Sequence, residues 1–287
     1  MNMKELRDLI QTDLTSLYET DRVENAVAIN NKLGFDYISD NFIPMYFSGN
    51  FEAQTVFVML NPGSGINNNY SFAVNEKSKY SSIDDFIQIY MDKHINYGKN
   101  DAARLDNFDL KQAAFLVNFE DSGINIPNFL VDLKNHDLKL RAKEAVLMNK
   151  LQLELIPYHS STFEGLLVNQ KTAIKNYELF VPHINRLLDT ICSFERKYVI
   201  FGAKQFYFLF QAHNHNKPDS VRFKLNKTFK IEGLKNSVNI SLIEISHKGH
   251  LVKAIIPHSF PRRDLPNAYE KMSKYGSLCY EEFQQTF

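Results

Sequence analysis

The sequence predicts a three-layer α-β-α domain built on a central, mostly parallel four-stranded sheet. Three observations carry that expectation. Four short apolar runs, Thr55–Leu60, Leu151–Tyr158, Lys197–Gly202 and Val252–Ile256, have the length and composition of strands buried on both faces. Segments with helical spacing separate them, an alternation that yields parallel strands covered by helices on each side. The runs break off at Asn61-Pro62-Gly63, Pro157, Gly202 and Pro257, and in such sheets the site lies beyond the carboxyl ends of the strands.

Taken in order, Leu6, Ile10, Leu14 and Leu17 recur at helical spacing, so the N-terminus reads as an amphipathic helix. A second, short helix is expected over Val23–Leu33. TVFVML (Thr55–Leu60) is the first buried strand. Helical patterns follow at Ser82–His94, Asp109–Phe119 and Asp137–Lys150, the last leading straight into LQLELIPY (Leu151–Tyr158). A helix over Val181–Phe194 precedes KYVIFG (Lys197–Gly202), whose glycine opens a turn into a helix around Gln205–Gln211. Ser220–Ile245 alternates as β-hairpins do, VKAII (Val252–Ile256) is the fourth strand, and Leu265–Phe287 has a helical pattern. No repeat, low-complexity tract or linker interrupts the chain. One domain is expected over 1–287, with a core of about 55–270 and a helical extension over 1–50.

Composition narrows the class. With 44% hydrophobic and 23% charged residues the chain can bury a sizeable core and remain soluble. The 23 Phe and 14 Tyr suit either core or base-stacking surface. The 33 basic and 33 acidic residues balance, which argues against coating nucleic acid by bulk electrostatics. A local strip remains open: Lys217, Arg222, Lys224, Lys227, Lys230 and Lys235 face only Asp219 and Glu232. A solvated hairpin surface explains that strip equally well. Cys192 and Cys279 are too few for a four-cysteine zinc site or an iron–sulfur cluster, and they fit a reducing cytoplasm. The segment Met1–Glu5 lacks the apolar core of a signal peptide, and no apolar run approaches the ~20 residues that span a bilayer. The expectation is a cytoplasmic protein without a membrane partner. His213, His215, His247 and His250 have no carboxylate or cysteine at a matching spacing, and neither a P-loop nor Gly-x-Gly-x-x-Gly occurs, so no metal and no cofactor is expected.

Several segments together resemble a known family. MLNPGSG (Met59–Gly65) resembles the water-positioning motif of the uracil-DNA glycosylase superfamily, in the form found in its mismatch-specific and single-strand-selective branches. SFAV (Ser71–Val74) resembles the segment whose Phe stacks on the flipped base. Leu151–Tyr158 sits where the family carries its base-reading strand, YVIFGA (Tyr198–Ala203) is similar to its third strand, and IIPHSF (Ile256–Phe260) resembles its His-containing second motif. The likeness covers roughly Thr55 to Tyr269. The sequence departs from the family in placing Pro257-His258-Ser259 where His-Pro-Ser is usual, and in its hairpin insertion and the long stretch between Tyr80 and Asn149.

The resemblance implies a monofunctional DNA N-glycosylase that flips a base out of single- or double-stranded DNA, releases it and leaves an abasic site, acting as a monomer. Asn61 would position the attacking water, although an amide cannot accept its proton. The load then falls on stabilising the departing base, and His258 is the candidate donor. Pro62, Gly63, Phe72, Glu154, Tyr158 and Ser259 are the expected substrate contacts, with Phe72 as the stacking platform. Ser64, Gly202, Lys204, Arg262 and Arg263 are the expected DNA contacts. Each has a plainer role open to it: Asn61 in a turn, Phe72 in the core, His258 as a strand-end structural residue, and the arginines on solvated surface. Glu154 falls near the family's base-reading Asn. An ionised carboxylate accepts only, which suits the amino group of cytosine and repels uracil's carbonyl. The target is open between uracil from deamination, as in DNA repair, and a modified base in foreign DNA, as in antiviral defence; Glu154 points to the second, a modified cytosine such as a hydroxymethylated or glycosylated base of phage DNA. The competing class is a non-catalytic nucleic-acid-binding or sensor protein with the same fold.

Overall fold

The computed structural model describes residues 3–60, 72, 76–97, 107–160, 163–260 and 269–287. Seven strands form one mixed sheet: β1 (Phe47–Gly49), β2 (Thr55–Met59), β3 (Lys150–Glu154), β4 (Tyr198–Phe201), β5 (Val221–Phe229), β6 (Val238–His247) and β7 (His250–Pro257), in the order β1-β3-β2-β4-β7-β6-β5. The four expected strands lie side by side at its centre, and β3-β2, β2-β4 and β4-β7 are all parallel pairs. Four strands is nevertheless too few. The alternating hairpin segment extends the sheet antiparallel through β6 and β5, and β1 pairs antiparallel with β3 on the opposite flank.

Nine helices occur among the described residues: α1 (Met3–Thr20), α2 (Glu24–Leu33), α3 (Ile83–Ile95), α4 (Asn107–Leu116), α5 (His136–Asn149), α6 (Gln170–Lys175), α7 (Tyr177–Ile191), α8 (Gln205–Asn216) and α9 (Tyr269–Thr286). They cover both faces. Alternate strand residues Val56, Val58, Leu151, Leu153, Leu155, Val199 and Phe201 pack with α1, α2, α3, α7 and α8. Their neighbours Phe57, Met59, Tyr198 and Ile200 pack with α4, α5 and α9. This is the period of two that a strand imposes on its side chains. None of these helices is long and apolar enough to cross a membrane.

Local chemistry explains the boundaries. The Ser82 side chain accepts from the Asp85 backbone N–H and starts α3, and Asn135 does the same for α5 through Leu138. The β6–β7 hairpin turns on Lys248 and Gly249, with φ of 47° and 84°, the left-handed pair that a tight two-residue turn requires. At Gly49 a Cβ would stand 2.3 Å from the Lys150 carbonyl oxygen, so only glycine lets β1 lie against β3 there.

Candidate active site

In the parallel centre, the chain leaves β2 for β3 on one side and returns to β4 on the other. The carboxyl ends of β2 and β4 therefore flank the point where strand order reverses, the usual crevice of an open α/β sheet. The segments expected to carry chemistry leave from this edge. Leu60 continues the β2–β3 pairing, its carbonyl accepting from Ile156 N–H at 2.9 Å. Asn61, Pro62, Gly63 and Ser64 follow it and lie outside the described residues, as do Arg262 and Arg263. Gly202 sits at the end of β4 against Met59, whose Sδ would be 2.6 Å from a Cβ at that position, with Phe260 close behind. A side chain there would require the end of Met59 to move.

His258 follows β7 on the same edge. Its backbone N–H donates to Asn239, its ring packs on Tyr207 at 5.1 Å between centroids, and Nε2 lies 2.8 Å from Ser241 Oγ. Burial, helped by the charge of exposed Lys204, pushes its pKa down to about 4, so the ring is neutral at pH 7. The single hydroxyl hydrogen of Ser241 is shared between His258 Nε2 and Asn226 Oδ1, which lies 3.1 Å away. His258 presents an Nδ1–H donor only when Nε2 takes that hydrogen. Ser259 is buried, its N–H donating to the Tyr275 hydroxyl at 3.3 Å.

Two expected contacts take other positions. Phe72 is fully buried, stacked on Phe86 at 4.8 Å and near Tyr80, so its ring offers no face to a base. A phenylalanine among 23 is most easily accommodated in core, and here the core claims it. Tyr158 is also buried and faces the α1 side of the sheet, its hydroxyl donating to Asp13 Oδ2 at 2.8 Å. Asp13 accepts in addition from Tyr46 (2.6 Å) and Asn25 (2.7 Å). Burial raises the Asp13 pKa, and the three hydrogen bonds and Arg186 oppose that rise. Arg186 caps the end of β3 by donating to the carbonyls of Glu154 and Leu155 and lies 4.9 Å from the Tyr46 ring centre.

Glu154 is the residue whose setting changes its chemistry. It closes β3 directly beside Met59 of β2, is 4% exposed, and accepts from Gln152 Nε2 at 3.0 Å through Oε1. Its Oε2 is buried with no hydrogen-bond partner among the described residues. Burial pushes its pKa up to about 8, against the pull of the Gln152 hydrogen bond and of Lys150 and Arg186. At neutral pH Glu154 is therefore a neutral acid, with one O–H donor as well as acceptors. The ionised acceptor expected from the sequence is corrected by desolvation.

Sequence reasoning missed the partners of Glu154. Lys150, Gln152 and Glu154 share one face of β3 in register with Thr55, Phe57 and Met59, and that face is roofed by α4 and α5. Lys150, Asp109, Gln112 and Lys143 are all buried there, with Lys150 Nζ 3.5 Å from Asp109 Oδ1 and Lys143 Nζ 4.0 Å from Asp109 Oδ2. The alternating KLQLE of β3 was the available signal. Of the basic hairpin strip, Arg222, Lys224 and Lys227 lie on edge strand β5, where Lys224 pairs with Glu244 at 2.8 Å and Lys227 pairs with Glu282. Among the described residues no group of three His, Cys, Asp or Glu converges as metal ligands; His213 bonds to Tyr177 and His247 to Asp189.

The fold is thus that of an α/β protein whose mixed sheet has a parallel centre. Comparison with protein-family models, curated proteins and solved structures finds no match.

Proposed function

We propose that the protein is a DNA N-glycosylase resembling the uracil-DNA glycosylase superfamily, releasing a flipped base and leaving an abasic site. The observation that carries this reading is a convergence. The segments that resemble the family's two motifs leave from the ends of β2 and β7, on either side of β4 and on the switch-point edge of one parallel sheet. Asn61 holds the attacking water, and His258, in the tautomer with hydrogen on Nδ1, donates to the base as negative charge develops on it. Gly202 brings the end of β4 against Met59 of β2, and Lys204 adds positive charge near His258.

Glu154, neutral at pH 7, sets the class of base. A carboxylic acid offers a donor and an acceptor side by side, the pattern an amide presents, and this matches an edge that carries a carbonyl next to a ring N–H. A uracil-type base fits this acid. An amino-bearing cytosine edge fits its ionised form, which prevails above about pH 8.

The test is incubation with oligonucleotides carrying a panel of normal, deaminated and modified bases, followed by alkali to cut abasic sites. Release of a keto-edged base, lost in Asn61→Ala while DNA binding persists, is the expected result. Wild-type turnover in Asn61→Ala removes the water-positioning assignment. Full burial of Phe72 favours a second reading, a DNA-binding protein without chemistry. DNA binding with no abasic product across the panel would establish it.

A further inference from the structure

A lysine, a glutamine and a glutamate on the covered face of a central strand, with Gln112 of α4 above them, are costly to bury, and their hydrogen bonds run in one direction. Lys150 Nζ donates to Gln112 Oε1 and, at 3.1 Å, to Gln152 Oε1, with Asp109 beside it. Gln112 Nε2 donates to the same Gln152 oxygen at 3.1 Å. An ammonium carries donors only, so the Gln152 amide cannot turn over without setting its NH2 against Lys150 and the Gln112 NH2. The Gln152 Nε2 must then point along the strand to Glu154 Oε1, at 3.0 Å. Oε1 is thereby held as an acceptor, and the hydrogen of the neutral acid is left to Oε2, the buried oxygen with no partner among the described residues.

We propose that Lys150 and Gln152 are positioning residues for Glu154: they lock its carboxyl so that Oε2–H is offered to a carbonyl on the ligand. This rests on the reading above that Glu154 meets the flipped base. The chain acts as a polarity lock. Charge on Lys150 orients one amide, that amide orients one acid, and the acid selects a keto edge over an amino edge. The charged groups around Glu154 are Lys150 on its own strand, Asp109 of α4, Lys143 of α5 and Arg186 of α7. Asp109 offsets one of the two lysines, so the cluster and Arg186 keep a net positive charge near the acid, and burial outweighs it.

The test reads the acid directly. Infrared spectra of the free protein at pH 7 should contain a protonated carboxyl C=O band that disappears in Glu154→Gln. In Gln152→Met the band should move to higher frequency, because Oε1 loses its donor, and its titration midpoint should shift upward. Lys150→Met frees the amide and should move the band the same way; circular dichroism checks that both variants fold. In the base-release assay, Gln152→Met should lower the preference for a uracil over a cytosine derivative by about tenfold, through kcat/KM. Absence of a Glu154 band at pH 7, or a band and midpoint unmoved in both variants, overturns the proposal. The infrared arm needs no substrate. A wild type that releases no base therefore removes the glycosylase reading, while the band still decides the roles of Lys150 and Gln152.

Discussion

Two buried polar clusters lie on opposite faces of the sheet near the end of β3, and they are finished differently. On the α1 face, Asp13 collects three donors, from Tyr46, Tyr158 and Asn25. It ties the N-terminal helix to the strand end, and its carboxylate is satisfied. On the α4 face, the chain from Lys150 through Gln152 ends at a carboxyl oxygen with no partner among the described residues. Both acids are buried and both pKa values are raised by that burial. What separates them is hydrogen-bond supply: three donors oppose the rise at Asp13, whereas at Glu154 one amide does, and the shift is large. A satisfied buried acid is structural glue, while an unsatisfied one is poised for a partner the free protein lacks.

The comparison breaks most visibly in the rate of base release. Glu154→Leu should slow it by ~10²–10³, the effect of deleting one aligned hydrogen-bonding group, while Glu154→Gln should stay within about tenfold of wild type because the amide keeps a donor and an acceptor. Single-turnover measurement on a uracil-containing oligonucleotide decides this, and equal rates in Leu and Gln variants would show that Glu154 does not meet the base.

Stability should reverse the ranking. Asp13→Ala leaves two buried hydroxyl donors, Tyr46 and Tyr158, without their acceptor and should cost about 2–4 kcal/mol in denaturant unfolding, with faster hydrogen exchange in α1. Glu154→Gln removes a buried acid that is only half satisfied and should change stability by less than about 1 kcal/mol near pH 5. A large loss in the second and none in the first would invert the two roles.

A pH series sharpens the same contrast. A carboxyl at about 8 in the folded chain and 4.5 unfolded keeps its proton in the native state alone between those values. Its contribution to stability therefore falls as pH rises from about 4.5 to about 8. Glu154→Gln should gain on the wild type across that window and hold a constant advantage above it. His258, at about 4 folded against 6.5, works in the other direction, its contribution being lost as pH falls from about 6.5 to about 4. A wild-type minus Glu154→Gln difference that is flat in pH would mean that Glu154 ionises normally.

The smallest effects belong to the exposed pairs on β5. Lys224→Ala and Lys227→Ala should each change stability by no more than about 0.5 kcal/mol. Because Glu244 and Glu282 already neutralise these lysines, the salt dependence of DNA binding should keep its slope. A slope reduced by about one per substitution would restore the strip as a phosphate contact.

Most of the fold was legible because the signals are local. TVFVML and KYVIF are continuous apolar runs that suit only strands covered on both faces, and Leu6, Ile10, Leu14 and Leu17 mark α1 as it stands. The turn at Lys248-Gly249, which joins β6 to β7 and brings the hairpin into the sheet, was not read from the sequence. Phe47–Gly49 was not legible: three residues are too short for a pattern, and they become a strand only by pairing with β3 a hundred residues away.

For the candidate site, sequence alone determined the residue types at the strand ends, because Asn-Pro-Gly, Gly202 and Pro-His-Ser interrupt their runs by backbone chemistry. Tertiary structure decided what those side chains and their neighbours can do. Alternation in KLQLE is compatible with a strand wet on one face, where Glu154 would be a carboxylate. Packing of α4 and α5 over that face removed the water, made the acid neutral and supplied Gln112 and Asp109 as partners for Lys150. Protonation follows burial and hydrogen-bond supply: Gln152 donates from two residues away, but α4, which covers the strand and fixes that amide through Gln112, comes from some forty positions away in the chain.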